Sequence, residues 1–213
     1  LVCYLGVVKK LNESRLRGSK FAISRNFATE LKTLDKDSRS DQVVSCFDCI
    51  SSIVIEEEIE NVFTDRNWSA LYRSSENSQN HLNWNKGLVA GSRRYLESSF
   101  DKLIDSTVAF YPRDALLGGK PSNIDRIRAF LNIRMKRASP AELQKLDFVD
   151  GVPVWACIFY LFRCGFLREA YQFARQYEFH LLKTEPSFIA YLKAFIETED
   201  NYLTGTVKAQ IQS

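Results

Sequence analysis

Apolar residues recur every three to four positions along most of this chain, which is the spacing of one face of an α-helix. Three stretches that begin at Trp155, Leu167 and Phe188 repeat the spacing i, i+3, i+4, i+7, with short connections between them. The alternation typical of β-strands does not recur, and no strict tetratricopeptide or ankyrin repeat is present. The pattern therefore predicts an all-α fold, an irregular α-solenoid of antiparallel helix pairs, with residues 1–213 as part of one domain.

The first half of the chain predicts four helices and one polar loop. The loop covers residues 73–80, the most polar stretch in the chain. The long helix after it has Leu96 and Leu103 on its predicted buried side and breaks at Pro112. The helices before the loop are predicted from three apolar faces: Leu1, Leu5, Val8 and Leu11; Phe21, Ile23, Phe27, Leu31 and Leu34; and Val44, Phe47, Ile50 and Val54 towards Ile59.

Helix ends are marked by serine and glycine. Ser122 or Asn123 is expected to cap a helix with Ile124, Ile127, Leu131 and Met135 on its buried face. Ser139, followed by Pro140 and Glu142, has the sequence of a capping box and predicts a short helix. Gly18 and Gly165 stand where a left-handed residue would end the helix before them.

The charge balance gives no strong indication of a nucleic-acid partner. The chain contains 29 Lys and Arg against 26 Asp and Glu, a net charge of +3, and the signs are well mixed. A nucleic-acid-binding domain usually concentrates basic residues on one face. The longest apolar run, residues 152–162, is too short to cross a bilayer. Five cysteines in a chain of this size predict free, mostly buried thiols in a reducing compartment. The apolar start without Met predicts a fragment of a longer solenoid.

No set of residues predicts catalysis, a cofactor or a metal site. His81 and His180 are far apart and have no nucleophile at a fixed local spacing, so both are interpreted as surface or capping residues. Cys46 and Cys49 form a lone Cys-x-x-Cys, whereas structural zinc needs four ligands. Gly118-Gly119-Lys120 lacks the first glycine and the Ser or Thr of a phosphate loop, and the acidic run at residues 56–60 points around a helix. We therefore expect no enzyme activity.

The segment 153–165, which we call the signature segment, reads Pro-Val-Trp-Ala-Cys-Ile-Phe-Tyr-Leu-Phe-Arg-Cys-Gly. It resembles the signature of the nucleoporin-interacting component family, the linker scaffold nucleoporins of the nuclear pore inner ring. Residues 117–119 and 128–133 resemble a further family segment, and the resemblance extends over about 95–203. The residues that carry the signature are expected to lie mainly in the core: Pro153, Trp155, Ile158, Phe159, Phe162, Arg163, Cys164 and Gly165.

The resemblance implies a structural component of the nuclear pore complex at the nuclear envelope, one that supports nucleocytoplasmic transport of protein and mRNA. It implies partners among other nucleoporins: the channel trimer with Phe-Gly repeats, large scaffold solenoids, and a small membrane-associated nucleoporin of the inner ring. It identifies no partner-binding residues in this chain. The alternative is a vesicle-coat or adaptor α-solenoid, which shares the architecture and is expected to lack the Trp-Ala and Arg-Cys-Gly pieces of the signature.

Overall fold

The fold is all-α apart from one short hairpin, in a computed structural model that describes residues 2–19, 21–33, 38–54 and 79–198. Eleven helices are formed within these ranges. In chain order they are α1 Val2–Arg17, α2 Ile23–Lys32, α3 Ser38–Val54, α4 Gln79–Phe110, α5 Pro112–Ala115, α6 Asn123–Arg137, α7 Pro140–Leu143, α8 Val154–Arg163, α9 Leu167–Gln176, α10 Glu178–Thr184 and α11 Phe188–Glu197. The helical periodicity of the sequence is confirmed by these elements.

The chain divides into two compact units. The first comprises Leu1–Tyr95 and the second Leu96–Ser213. Helix α4 contributes residues to both. The prediction that residues 1–213 form part of one domain stays a prediction.

The first unit is built on α1, α2 and α3. Val7, Ala28 and Leu31 are buried, and the Phe27 ring stacks on the Phe47 ring with centroids 5.3 Å apart. Helix α1 ends in the predicted glycine cap, because Gly18 has a φ of 64° and the Ser19 amide donates to the Ser14 carbonyl at 2.9 Å. This hydrogen bond is the six-to-one bond of a Schellman motif.

The buried face of α1 differs from the expected one. Leu5 and Val8 are exposed, whereas Val7 and Ser14 are buried. Val7 and Ser14 are seven residues apart, which is the same helical spacing that separates Leu1 from Val8 in the predicted face. The predicted spacing is therefore right, but α1 buries the adjacent face. The periodicity of an apolar stretch defines a helix, but the neighbouring helix decides which of two adjacent faces it covers.

Helix α2 lies within the predicted apolar stretch 21–34, and α3 begins at Ser38, six residues before Val44, the first residue of its predicted apolar face. The predicted end of α3 at Ile59, the acidic run at 56–60 and most of the polar loop at 73–80 lie outside the described residues. Gln79 and Asn80, the last two residues of that predicted loop, are already helical.

The second unit has a main hydrophobic core supplied by α4, α6, α8, α9, α10 and α11, and a smaller cluster of Ala115, Ala129 and Ile133. Its fully enclosed side chains include Ile104, Ile127, Leu161, Phe173 and Leu181. Ile127 and Leu131 of α6 are buried, and Ile124 and Met135 pack beside them, so the predicted buried face of α6 is confirmed. The predicted capping box of Ser139 with Glu142 is formed, and Ser122 caps α6 in a capping box with Asp125 that was not predicted.

A short hairpin between α7 and α8 was not predicted. Phe148–Val149 pairs antiparallel with Val152–Pro153, and the turn residues Asp150 and Gly151 have φ values of 50° and 76°. Two successive residues with positive φ make a type I′ turn, for which Asp-Gly is a favoured sequence. The signal was therefore present at residues 150–151, but two-residue strands are too short for an alternating pattern to show.

Candidate functional site

The signature segment, residues 153–165, forms helix α8 together with its two ends. Pro153 is the last residue of the hairpin, where a residue without an amide hydrogen is tolerated at the edge of a sheet. Val154, Cys157, Ile158 and Leu161 then follow the helical spacing and are buried. The hairpin and the apolar face thus fix where α8 begins and which side of it meets the core.

Gly165 ends α8 in a Schellman motif, as predicted. Its φ is 77°, its amide donates to the Phe162 carbonyl at 3.0 Å, and the Phe166 amide donates to the Leu161 carbonyl at 2.9 Å. A Cβ added at Gly165 would lie 2.6 Å from Oε2 of Glu97 on α4. Glycine is required here by the left-handed backbone and favoured by the close approach of that side chain.

The aromatic residues of α8 connect it to the helices on both sides. Trp155 meets Phe188 of α11 edge to face at 4.8 Å, and the Phe162 ring stacks on the Phe195 ring at 6.1 Å. Towards α4, Tyr160 stacks on Phe100 at 5.8 Å. Aromatic pairs at these separations add about 0.5–1.5 kcal/mol each beyond their burial. The signature therefore specifies the contacts of one helix with two neighbours.

The sequence had led us to expect the signature residues mainly in the core, but some of them lie at the surface. Pro153, Ile158 and Cys164 are buried, and Trp155, Phe162 and Gly165 are half-buried. Phe159 is 56% exposed, and Arg163 is also exposed, with its guanidinium 4.8 Å from the centre of the Phe100 ring. Phe159 lies one position after Ile158, which turns it by about 100° around the helix and out of the buried stripe.

Burial makes the two cysteine thiols of the signature poor nucleophiles. It raises the pKa of Cys157 to about 11. It raises the pKa of Cys164 to about 12, with a further contribution from the negative charge of Asp101. A thiol attacks or binds metal as the thiolate, so both groups are unreactive at physiological pH. Their role in α8 is that of small apolar side chains.

An ion pair beside the signature segment joins α4 to α6. Arg126 donates from Nη2 to both Asp101 and Asp105, and from Nε to Oδ1 of Asp105 at 2.8 Å. Burial disfavours the charged guanidinium, but its hydrogen bonds to Asp105 and Asp101 outweigh this and raise the pKa of Arg126. Because the Arg126 side chain is mostly buried, this pair is shielded from solvent better than a surface pair.

The other residues considered from the sequence are not brought to one site. His180 contacts Asp147 and lies in α10, while the side chain of His81 is outside the described set. Cys46 is exposed, contrary to the expectation of a buried thiol, and Cys49 is half-buried. Gly119 has a φ of 69° in the loop before α6. Within the described ranges, no three His, Cys, Asp or Glu side chains are grouped to hold a metal ion.

The contacts of α8 leave a packed apolar interior and an outward face with aromatic and basic side chains. Among the helices that the structure describes, none is both long and apolar enough to cross a membrane.

The family model described as Nup93/Nic96 matches residues 41–213. The chain belongs to the Nup93/Nic96 family. The resemblance carried by the signature segment is thereby confirmed, and several relatives of this chain bear the names of nuclear pore proteins.

Two relatives illustrate the match. Nucleoporin NIC96 of Chaetomium thermophilum is 29% identical over 210 residues, which are 97% of this chain and 19% of that protein. Nuclear pore complex protein NUP93B of Arabidopsis thaliana is 30% identical over 213 residues, 97% of this chain and 22% of that protein. The chain therefore spans about a fifth of the length of these relatives.

A solved structure agrees with the sequence comparison. The crystal structure of Chaetomium thermophilum Nic96 SOL superimposes with a TM-score of 0.77 and 26% identity, over 95% of this chain and 29% of that one. The all-α solenoid class predicted from periodicity is confirmed by this neighbour.

Proposed function

We propose that this chain is part of a structural scaffold protein of the nuclear pore complex, which acts in the inner ring by binding other nucleoporins. The single observation that carries the proposal is the match of the Nup93/Nic96 family model over residues 41–213. The protein would reside at the nuclear envelope and support nucleocytoplasmic transport of protein and mRNA. Its contribution is stoichiometric assembly, without turnover of a substrate.

The packing of the second unit supports a binding role. A fold made of stacked helices buries its core between neighbouring elements and leaves their outward faces to partners. Helix α8 does this, because its aromatic contacts with α4 and α11 hold it in place while Phe159 points outward. Grooves between helices of this kind accept an amphipathic helix or a short peptide.

The finer assignments belong to the same proposal. The residues 1–213 form part of one solenoid domain, and its partners are the channel trimer with Phe-Gly repeats, large scaffold solenoids and a small membrane-associated nucleoporin of the inner ring. They rest on the family to which the chain belongs.

Purification of the tagged full-length protein from nuclear-envelope extract tests the proposal. We expect inner-ring and channel nucleoporins to co-purify, and the tagged protein to mark the nuclear rim in cells. Recovery of vesicle-coat subunits without pore proteins would contradict the proposal and favour the coat or adaptor alternative.

The exposed face of the signature segment can be tested in the same experiment with Phe159→Ser. The matched control is Phe179→Ser, because Phe179 of α10 is also an exposed phenylalanine, at 77%. If the signature face contacts another pore protein, only Phe159→Ser lowers its recovery while both variants melt like the parent.

A further inference from the structure

A second outward-facing apolar group lies at α5, the single turn of helix Pro112–Ala115. Phe110 is the last residue of α4, one residue before this turn, and Leu116 directly follows the turn; they are 74% and 75% exposed. Two large apolar side chains this exposed at one turn gain nothing from burial among the described residues.

The backbone of Leu116 adds an independent observation. Its φ of 53° and ψ of 33° place it in the left-handed region, which glycine or asparagine occupies more readily than leucine. Strained residues that persist in a fold concentrate at sites that bind or switch. An exposed leucine held in this conformation presents its side chain at a fixed position outside the helix.

The turn that carries these residues is rigidly held against α6. Ala115 is buried with Ala129 and Ile133, and Tyr111 packs against the same group. The Arg137 guanidinium lies 3.7 Å from the centre of the Tyr111 ring, and the Phe110 ring meets Tyr111 edge to face at 4.5 Å. The exposed residues therefore stand on a preformed base, which reduces the entropy lost when a partner binds.

Basic side chains lie on this turn and beside it. Residues 110–138 contain seven Lys and Arg against two Asp, but Arg126 pairs with Asp101 and Asp105, and Arg128 packs against Phe173 in the core. Arg113 in α5 and Lys120 in the following loop are exposed and form no ion pair with any described residue. Lys136 and Arg137 of α6 both lie near Asp114, so their two positive charges are opposed by one carboxylate.

We propose that the α5 surface, formed by Phe110, Tyr111, Leu116, Arg113, Lys120 and Arg137, docks a short acidic segment with apolar side chains from a partner protein. The proposal rests on the proposed function, in which the protein works by binding other proteins. Carboxylates of the segment would meet the basic side chains, and its apolar residues would cover Phe110 and Leu116. Charge complementarity of this kind directs encounter and orientation, while the apolar anchors supply affinity.

A nucleic acid fits this surface less well than a peptide. The hydrogen bond from Lys136 holds the pKa of Asp114 below its ordinary value, so a negative charge stands within the basic group. A peptide can place its carboxylates away from Asp114, whereas the regularly spaced phosphates of a nucleic acid cannot all avoid it. A nucleic acid also offers no aliphatic side chain to cover Leu116, whereas an amphipathic peptide does.

Selection from a random peptide display library tests the docking surface. The full 213-residue chain is the target, and the double variant Phe110→Ser, Leu116→Gly is used to remove peptides that bind elsewhere. We expect the enriched peptides to be acidic and to carry aromatic or aliphatic residues. Leu116→Gly suits the left-handed backbone, so this variant is expected to fold, which a thermal melt verifies.

Fluorescence anisotropy with the most enriched peptide then measures how much each residue contributes to the affinity for the peptide. Phe110→Ser and Arg113→Glu should each weaken binding by roughly tenfold, and added salt should reduce the effect of Arg113→Glu. The matched controls, Phe179→Ser and Lys145→Glu, should leave binding within about twofold of the parent, as expected for residues outside an interface.

Several results would overturn the docking surface. They are the absence of peptides that distinguish the parent from the double variant, enrichment of basic or uncharged peptides, and a single-stranded oligonucleotide that displaces the acidic peptide. A dimer of the parent that Phe110→Ser dissociates would assign the surface to a second copy instead. If the selection fails while the full-length protein still co-purifies with nucleoporins, only the docking surface is wrong. If pore proteins are not recovered, the proposed function is wrong whatever the selection yields.

Discussion

The two compact units of this chain bury different kinds of side chain. Among the described residues, the first unit buries Val7, Leu31 and Ala28 together with the serines Ser14 and Ser24. The second buries a contiguous cluster of large aliphatic and aromatic residues centred on Phe173. Because the free energy gained on folding scales with the apolar area removed from water, the second unit should hold most of the stability. Amphipathic helices alone therefore do not indicate how firmly a region is folded.

The largest expected difference between the units comes from removing one core side chain in each. Phe173→Ala should destabilise the second unit by about 3–5 kcal/mol, because the enclosed ring leaves a cavity. Leu31→Ala should destabilise the first by roughly 2–3 kcal/mol, the low end for leucine, since small neighbours can move into the space. Hydrogen exchange followed by mass spectrometry measures both in α9 and α2.

Phe179→Ala is the control for these two variants, because this ring is exposed and its removal should change stability by less than about 0.5 kcal/mol. Equal losses for Leu31→Ala and Phe173→Ala would show that the two units are packed equally well, contrary to the comparison.

An intermediate difference is expected for the ion pairs. Arg126→Met should cost about 2–3 kcal/mol, since it leaves Asp101 and Asp105 without their charged hydrogen-bond donor at a partly buried site. Lys32→Met removes the exposed pair with Asp48 in the first unit and should cost less than about 1 kcal/mol. Urea unfolding of each variant measures the loss, and a result in which both are alike would mean that solvent screens the Arg126 pair.

The smallest difference concerns acid pH and the helix caps. The hydroxyl and amide of Ser122 lower the pKa of Asp125 from 3.8, and the amide and hydroxyl of Ser139 lower that of Glu142 from 4.5. A carboxylate with a lowered folded-state pKa stabilises the fold above its unfolded pKa, and this stabilisation is lost as pH falls through the folded value. Helix α2 in the first unit has no side-chain cap at Ala22.

The double variant Asp125→Asn, Glu142→Gln should therefore be less stable than the parent at about pH 7, and the difference should shrink as the pH is lowered to about 3. Urea midpoints at the two pH values measure this change. Asp41→Asn in the first turn of α3 is the matched control from the first unit. If the double variant and the parent differ in urea midpoint by the same amount at both pH values, the carboxylates stabilise the caps through their shape and not through their charge.

Local signals predicted the helices and their ends well, because these depend on residues close in sequence. Ser122, Ser139, Gly18 and Gly165 act at the helix ends for which they were chosen, through hydrogen bonds spanning three to five residues. The Asp150-Gly151 turn was equally local and could have been found from its dipeptide. The signature segment also identified the family, since its order of residues is a property of sequence alone.

The candidate surfaces were predicted less well. Phe159 and Leu103 follow the same apolar spacing as buried neighbours, yet both are exposed. The sequence pattern did not predict the pairing of Arg126 with Asp101 and Asp105. It also did not predict the left-handed backbone of Leu116. Each depends on residues brought together across the fold or on a backbone that its neighbours hold.

The sequence by itself determined that this chain is helical, where most helices end, that catalysis is not expected from its residues, and to which family it belongs. The tertiary structure decided which face of each helix meets the core, how α8 is held between α4 and α11, and which aromatic and basic side chains remain outside. The physical reason is the range of the interactions. Backbone hydrogen bonds and caps act within one helical turn, whereas burial depends on the helix that packs alongside, which lies far away in sequence.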